Sequence, residues 1–143
     1  MKRIGWVFAL AVVAGCGKEA GRVAFSSDGT GAATMTLKAG DVDFWTDIDL
    51  SYEGNAALAY RVTLEQGGKS VATTVCDPLA RLNVKTMWTE TNVGASHSRH
   101  GMGKMSCTVT LPSGGATEVH ATLAWSAKPS SVTLKKADLV VKQ

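Results

Sequence analysis

The sequence lacks the short motifs that most often carry catalytic chemistry. It contains no Gly-x-Ser-x-Gly nucleophile elbow, no His-Glu-x-x-His metal pair, no glycine-rich phosphate loop and no Cys-x-x-Cys redox pair. Each of these motifs holds reactive groups at a defined spacing in the sequence. The glutamates and histidines of this chain are scattered and do not form such a spacing. We therefore expect a protein that is not an enzyme and that needs no cofactor.

The chain also carries little net charge. The formal net charge of +3 includes Lys2 and Arg3, so the chain behind the amino-terminal segment carries 13 basic and 12 acidic residues. Lys135 and Lys136 are the only adjacent basic pair in that part, which argues against a nucleic-acid partner. Charged residues at 19%, hydrophobic residues at 45% and only 3 prolines are typical of one compact globular domain.

No apolar run is long enough to span a membrane as a helix, which takes about 20 residues. Residues 4–14 are uncharged and largely apolar, and the basic residues Lys2 and Arg3 precede them. A short apolar run behind a positive amino terminus is typical of a secretory signal peptide. We expect residues 1–15 to be this leader.

The junction behind the leader reads Val13-Ala14-Gly15-Cys16, which resembles the lipobox of bacterial lipoproteins. The resemblance covers only the first sixteen residues. It implies cleavage before Cys16 and a lipid anchor on its thiol, with residues 16–21 as a tether to the membrane. Because Gly17 rather than aspartate follows, it also implies an outer-membrane lipoprotein that faces the periplasm or the cell surface. A plain secretory leader with an incidental cysteine is the alternative.

Two cysteines remain for the folded domain. Cys76 and Cys107 lie 31 residues apart, and a disulfide between them is the simplest pairing outside the cytoplasm. A redox or metal pair is the alternative, although the spacing does not favour it.

Apolar and polar residues alternate in segments separated by turn residues, which predicts antiparallel strands. From Val42 to Tyr52, for example, apolar residues share one parity and aspartates the other. The strands are predicted at 22–27, 32–38, 42–52, 57–66, 70–76, 82–90, 104–111, 117–126 and 131–141. Residues 22–143 are therefore predicted to form an all-β domain, an antiparallel β-sandwich of Greek-key or jelly-roll type with eight or nine strands and one disulfide.

The polar face of the strand at 42–52 holds a candidate binding site. Trp45 lies between Asp43 and Asp47 on that face, and an exposed tryptophan flanked by carboxylates is a typical platform for a sugar ring. Asp41 and Asp43 are also near enough in sequence to share a calcium ion. A solvated acidic strand face, or a tryptophan covered by a loop, is the alternative.

Residues 89–104 form the longest stretch without a strand period and predict a long, mobile, glycine-rich loop. His97, His100 and Met102 lie close together in it, and imidazole and thioether ligands suit copper. An ordinary polar loop is the alternative.

Together these observations predict a lipid-anchored envelope protein with a non-catalytic binding or scaffolding role toward a protein or glycan. The alternative is a periplasmic metal-handling lipoprotein that uses His97, His100 and Met102. A third hypothesis is that residues 137–143 are supplied as a strand to a neighbouring protein.

The lipobox gives a direct prediction. Substitution of Cys16→Ala should release the chain from the membrane fraction, because the thiol that carries the lipid is gone. Fractionation, with mass spectrometry of the mature amino terminus, measures this. An equal membrane fraction for wild type and variant contradicts it, and protease treatment of intact against lysed cells then reports which face of the membrane the domain occupies.

Overall fold

The computed structural model describes residues 17–143, so the predicted leader and Cys16 lie outside the described residues. The described chain contains no helix, and hence none long and apolar enough to cross a membrane. Its strands are β1 (Glu19–Val23), β2 (Gly29–Leu37), β3 (Gly40–Glu53), β4 (Ala57–Gln66), β5 (Lys69–Cys76), β6 (Val84–Val93), β7 (Ser96–Leu111), β8 (Gly115–Ala127) and β9 (Ser131–Lys142).

The strands form two antiparallel sheets that pack face to face. The larger sheet has the order β1-β9-β3-β7-β6, and the smaller sheet has the order β2-β8-β4-β5. The β4–β5 and β6–β7 connections are hairpins, whereas the other connections cross between the sheets, as they do in Greek-key sandwiches. The predicted antiparallel β-sandwich is confirmed.

Alternation of apolar and polar side chains builds the core between the sheets. On β3, Val42, Ile48 and Leu50 are fully buried, and the aspartates between them face away from the core, as the pattern predicts. The inward side chains of both sheets form one continuous cluster. The other strands contribute to this cluster Leu58, Tyr60, Val62, Leu64, Val119, Ala121, Leu123, Leu139 and Val141, among others.

One polar group crosses this core. The Tyr60 hydroxyl, from the smaller sheet, lies 2.8 Å from Thr46 Oγ1 and donates to the Ala137 carbonyl at 2.8 Å, both in the larger sheet. Burial raises the pKa of the Tyr60 phenol well above its ordinary value, so the hydroxyl stays a donor at any physiological pH. A satisfied hydroxyl in an apolar core fixes how the two sheets lie against each other.

The predicted disulfide also joins the sheets. Cys76 ends β5 of the smaller sheet and Cys107 lies on β7 of the larger sheet, with their Cα atoms 5.3 Å apart. The bond therefore adds a covalent link to the apolar contact between the layers.

The segment 89–104 is not the long loop that the sequence predicts. β6 continues to Val93 and β7 begins at Ser96, so residues 94–95 make a two-residue hairpin turn. Gly94 has φ 59°, a left-handed conformation that glycine adopts without steric cost and that tight hairpin turns require. Gly94 therefore closes a regular hairpin, and the prediction of a mobile, glycine-rich loop is wrong.

β6 extends past the edge of the smaller sheet, because that sheet has one strand fewer. β5 packs against β7, and the loop 77–83 covers part of the inner face beside β6. Leu82 of this loop is buried directly against Gly103, where no room remains for a Cβ atom. We call β6 together with residues 77–83 the overhang.

The disulfide predicts a stability change. Replacing both Cys76 and Cys107 with alanine should lower the free energy of unfolding by about 3 to 4 kcal/mol. Without the disulfide the unfolded chain is no longer restricted by a closed loop, so its conformational entropy rises. Urea unfolding of the full chain in detergent measures the difference, with Cys16→Ala as the cysteine control. A loss below about 1 kcal/mol would contradict the stabilising role.

Candidate functional site

Trp45 lies on the outer face of the larger sheet, as predicted, but it is not exposed. Only 2% of its surface is accessible. Lys142 of β9 lies over the ring, with Nζ 4.0 Å from the ring centroid, and the in-register neighbour Val140 is buried beside it. The predicted exposure of Trp45 is therefore wrong, since the ring is committed to a cation–π contact and cannot stack on a sugar.

The first two aspartates of this face have partners of their own. Asp41 accepts a hydrogen bond of 2.8 Å from the Thr110 hydroxyl, and Asp43 Oδ2 lies 3.5 Å from Lys104 Nζ. A carboxylate that faces a lysine is a poor start for a calcium shell, which requires six to eight oxygen ligands. The geometry gives the predicted calcium pair no support.

The central aspartate of the face belongs to a charge network. Arg22 Nη1 lies 2.9 Å from Asp47 Oδ2 and 3.1 Å from Asp138 Oδ2, while its Nη2 lies 2.7 Å from Glu19 Oε1. Lys136 Nζ adds a second contact to Asp47 at 2.9 Å. The network joins β1, β9 and β3 across the outer face, which indicates a structural role for these carboxylates.

Strand alternation separates the three residues of the predicted copper site. His97 faces the inner side, where its ring stacks on Tyr52 with the centroids 4.9 Å apart. His100 faces the outer side with its Nδ1 3.5 Å from Asp49 Oδ2, and Met102 shares that side. The structure therefore does not bring His97 and His100 together.

A polar network occupies the inner face of the β6–β7 hairpin. Arg99 Nε lies 3.0 Å from Glu90 Oε1, and Arg99 Nη1 donates to Asn92 Oδ1 at 3.0 Å. The same Asn92 oxygen lies 2.7 Å from His97 Nδ1. These side chains face inward where the smaller sheet no longer covers the larger one, and all four are exposed or only partly buried.

A small cleft lies between the loop 77–83 and this inner face. It measures about 230 Å³, and its lining includes Arg81, Lys85, Trp88, Glu90 and Arg99. Lys85 Nζ lies 5.9 Å from the Trp88 ring centroid, and Trp88 Nε1 donates to Glu90 Oε1 at 3.4 Å. The cleft therefore holds one aromatic ring, three cationic side chains and one carboxylate. Its net positive charge suits an anionic ligand group.

The outward edge of β6 is open. Val84, Met87 and Val93 are 40%, 90% and 70% exposed, a large apolar surface for one short strand. A bulge lies between Thr86 and Thr89, where Met87 has φ 50° and the largest exposure of the three. The edge is thus divided into two extended segments with an apolar side chain between them.

A shallow depression of about 340 Å³ borders the far end of β6 on the outer face. A row of hydroxyl side chains crosses it in register, from Thr133 through Ser51 and Ser98 to Thr91. Val93 is one of its lining residues. The depression adds polar surface next to the open edge.

Sequence reasoning did not single out these edge and cleft residues. The strand at 82–90 was predicted, but nothing in its composition distinguishes an edge strand from an internal one. The one local signal was the absence of an apolar period in β6, where every residue except Trp88 is exposed.

Comparison with known proteins found no family model that matches the sequence and no curated protein that matches it.

The Arg22 network predicts a pH dependence of stability. Arg22 holds the pKa of Glu19 below its ordinary value. Burial alone would raise the pKa of Asp47, but its contacts with Lys136 and Arg22 together outweigh burial and lower that pKa. The pKa of each carboxyl is lower in the folded chain than in the unfolded chain, where it is near 4. The ionised carboxyls therefore stabilise the fold above the unfolded pKa, and this stability is lost as the pH falls through the folded pKa. Unfolding free energy should therefore fall between about pH 5 and pH 2.

Arg22→Gln should flatten this fall by about 1 kcal/mol or less, because the groups are partly exposed and Lys136 remains beside Asp47. Urea unfolding at a series of pH values measures it. Lys135→Gln removes an exposed charge on the same sheet and is the matched control. Equal pH profiles for Arg22→Gln and the wild type would show that the network does not contribute.

Proposed function

We propose that this chain is a lipid-anchored protein of the bacterial envelope with a non-catalytic binding role, and that it binds a protein partner along β6. The observation that carries the proposal is the position of β6. Among residues 17–143 this strand pairs with β7 on one side and with no strand on the other. Unpaired backbone N–H and C=O groups along an edge are a template for an added strand.

The side chains of β6 support the same role. Exposed apolar residues are ordinary when they are scattered singly, but Val84, Met87 and Val93 lie on one strand and next to one open edge. The segment from Thr89 to Val93 is five residues of regular pairing beyond the bulge. A partner strand of similar length would cover both the backbone edge and the apolar side chains.

The cleft suggests the chemistry of the partner. Every second side chain of an added strand would lie on the inner side of the sheet, the side on which the cleft opens. Arg81 and Lys85 leave the cleft with an excess of positive charge beside the Trp88 ring. We expect an extended partner segment with an acidic residue in its inward positions.

The place of the amino terminus fits anchoring. β1 begins three residues after Cys16 and forms the edge of the larger sheet opposite β6. A lipid on Cys16 would hold the sheet by one edge. The other edge would stand about 19 Å away, four strand spacings of about 4.8 Å.

Photo-crosslinking in intact cells tests the proposal. A benzoylphenylalanine at position 87 should give a discrete adduct, because Met87 is the most exposed apolar residue of β6. The matched control is the same probe at Val75, which is 60% exposed on β5, the edge of the other sheet. Val84→Lys and Val93→Lys should each reduce the adduct by at least roughly tenfold, the effect of about 1.4 kcal/mol in binding.

Val75→Lys should leave the adduct unchanged, since it places the same charge on the other sheet. An adduct of equal strength at positions 75 and 87, or one that survives both lysine substitutions in β6, contradicts binding along this strand. The lysine variants are surface changes that should leave stability within about 0.5 kcal/mol of the wild type, which urea unfolding checks.

A glycan in the cleft is the second candidate, favoured by the partly exposed Trp88 ring among charged side chains. Anionic oligosaccharides would then quench Trp88 fluorescence, and Trp88→Phe would weaken their binding while the lysine substitutions on the edge would not.

Metal handling through His97, His100 and Met102, the other hypothesis from the sequence, would need ligands that the strand directs to opposite faces.

A further inference from the structure

The outer face of the smaller sheet holds three side chains that converge on one point. Glu65 on β4 and Glu118 on β8 are register partners, and His120 lies two residues further along β8 on the same face. His120 Nε2 lies 3.1 Å from Glu65 Oε2 and 3.0 Å from Glu118 Oε1. Within residues 17–143 this is the one group of three or more histidine, cysteine or carboxylate ligands whose donor atoms all lie within 4.8 Å of one another.

We propose that Glu65, Glu118 and His120 form a binding site for a divalent transition-metal ion, with Zn²⁺ as the ion that fits best. The proposal is independent of binding along β6, since the three residues lie on the other sheet.

The spacing of the donor atoms suits zinc. Ligands about 2.0 to 2.1 Å from a tetrahedral ion lie about 3.4 Å from each other. The two distances from His120 Nε2 are within a few tenths of an ångström of that value. Small side-chain movements would seat the ion and leave its fourth position open to water.

Charge balance also calls for a cation here. Two glutamates approach each other on adjacent strands, and neither has a lysine or arginine nitrogen within 4.0 Å among the described residues. Like charges directly opposite on a sheet are destabilising unless something neutralises them. An imidazolium at His120 supplies one positive charge, whereas a metal ion supplies two and uses the imidazole as a ligand.

The backbone gives the site a rigid frame. β4 and β8 are the two central strands of the smaller sheet, so all three residues lie on strands that are paired on both sides, with a register shift between β4 and β5 at Glu65. The side chains are between one third and one half exposed, which lets an ion enter from solvent. A mixed imidazole and carboxylate set favours zinc over calcium or magnesium, which prefer oxygen ligands alone.

Isothermal titration of the full chain in detergent with zinc chloride tests the site. We expect one equivalent to bind, and we expect His120→Gln and Glu118→Gln each to weaken binding at least roughly tenfold, because even the outer-shell partners of metal ligands contribute about 10- to 100-fold. His100→Gln is the matched control, since His100 is an exposed histidine beside a single carboxylate, Asp49. It should leave the affinity unchanged, and millimolar calcium should not compete.

The ring signals of the three histidines give a second readout. One equivalent of zinc should shift the His120 ring resonances and leave those of His97 and His100 in place, even if a substituted chain folds poorly. The proposal is overturned by the absence of saturable binding, by unchanged affinity in both His120→Gln and Glu118→Gln, or by an equal loss in His100→Gln. A shift confined to His97 or His100 would also overturn it.

Discussion

The register of β3 between its two neighbours is the constraint on which the rest of the structure depends. β3 pairs with β9 on one side and β7 on the other along nearly its whole length. Because side chains alternate with a period of two, a slip of one residue would exchange the buried and exposed faces of the entire strand. The core contacts of Ile48 and Leu50 and the outer-face contacts of Asp47 and Asp49 are therefore set by one and the same pairing.

The unequal size of the two sheets explains where the domain has an uncovered sheet face. Five strands pack on four, so one strand of the larger sheet lacks an opposite layer, and the loop 77–83 covers it only in part. Residues that would face a core elsewhere are polar here, as Glu90, Asn92 and Arg99 show. The smaller sheet instead uses its central strands to bring charged side chains together on its outer face.

Much of this fold can be predicted from the sequence, because a strand with one buried face alternates apolar and polar residues. The segment 42–52 and the pairing of Cys76 with Cys107 were predicted from periodicity and cysteine count. The hairpin at 89–104 was not predicted, because the period disappears where neither face of the strands is covered by a second sheet. In such a segment the sequence offers Gly94, but a glycine alone does not distinguish a tight hairpin turn from a loop.

The side-chain clusters were harder to predict, because they depend on pairings between distant parts of the chain. Trp45 has the parity that its pattern predicts, but the lysine that covers it comes from β9, almost a hundred residues later. Glu65 and His120 meet only because β4 lies beside β8. Periodicity predicts which face a residue occupies, and long-range register decides its neighbours on that face.

The disulfide has a consequence for motion as well as for stability. Cys76 and Cys107 close a covalent ring that contains the whole overhang and β7 as far as Cys107. Within this ring β6 pairs with β7 alone, so it would open locally before the two layers part. Its amide hydrogens would then exchange with solvent at a lower free energy than those of β3, whose exchange requires opening of the core. Such an opening would stay local, because the disulfide keeps the two layers joined at the base of the ring.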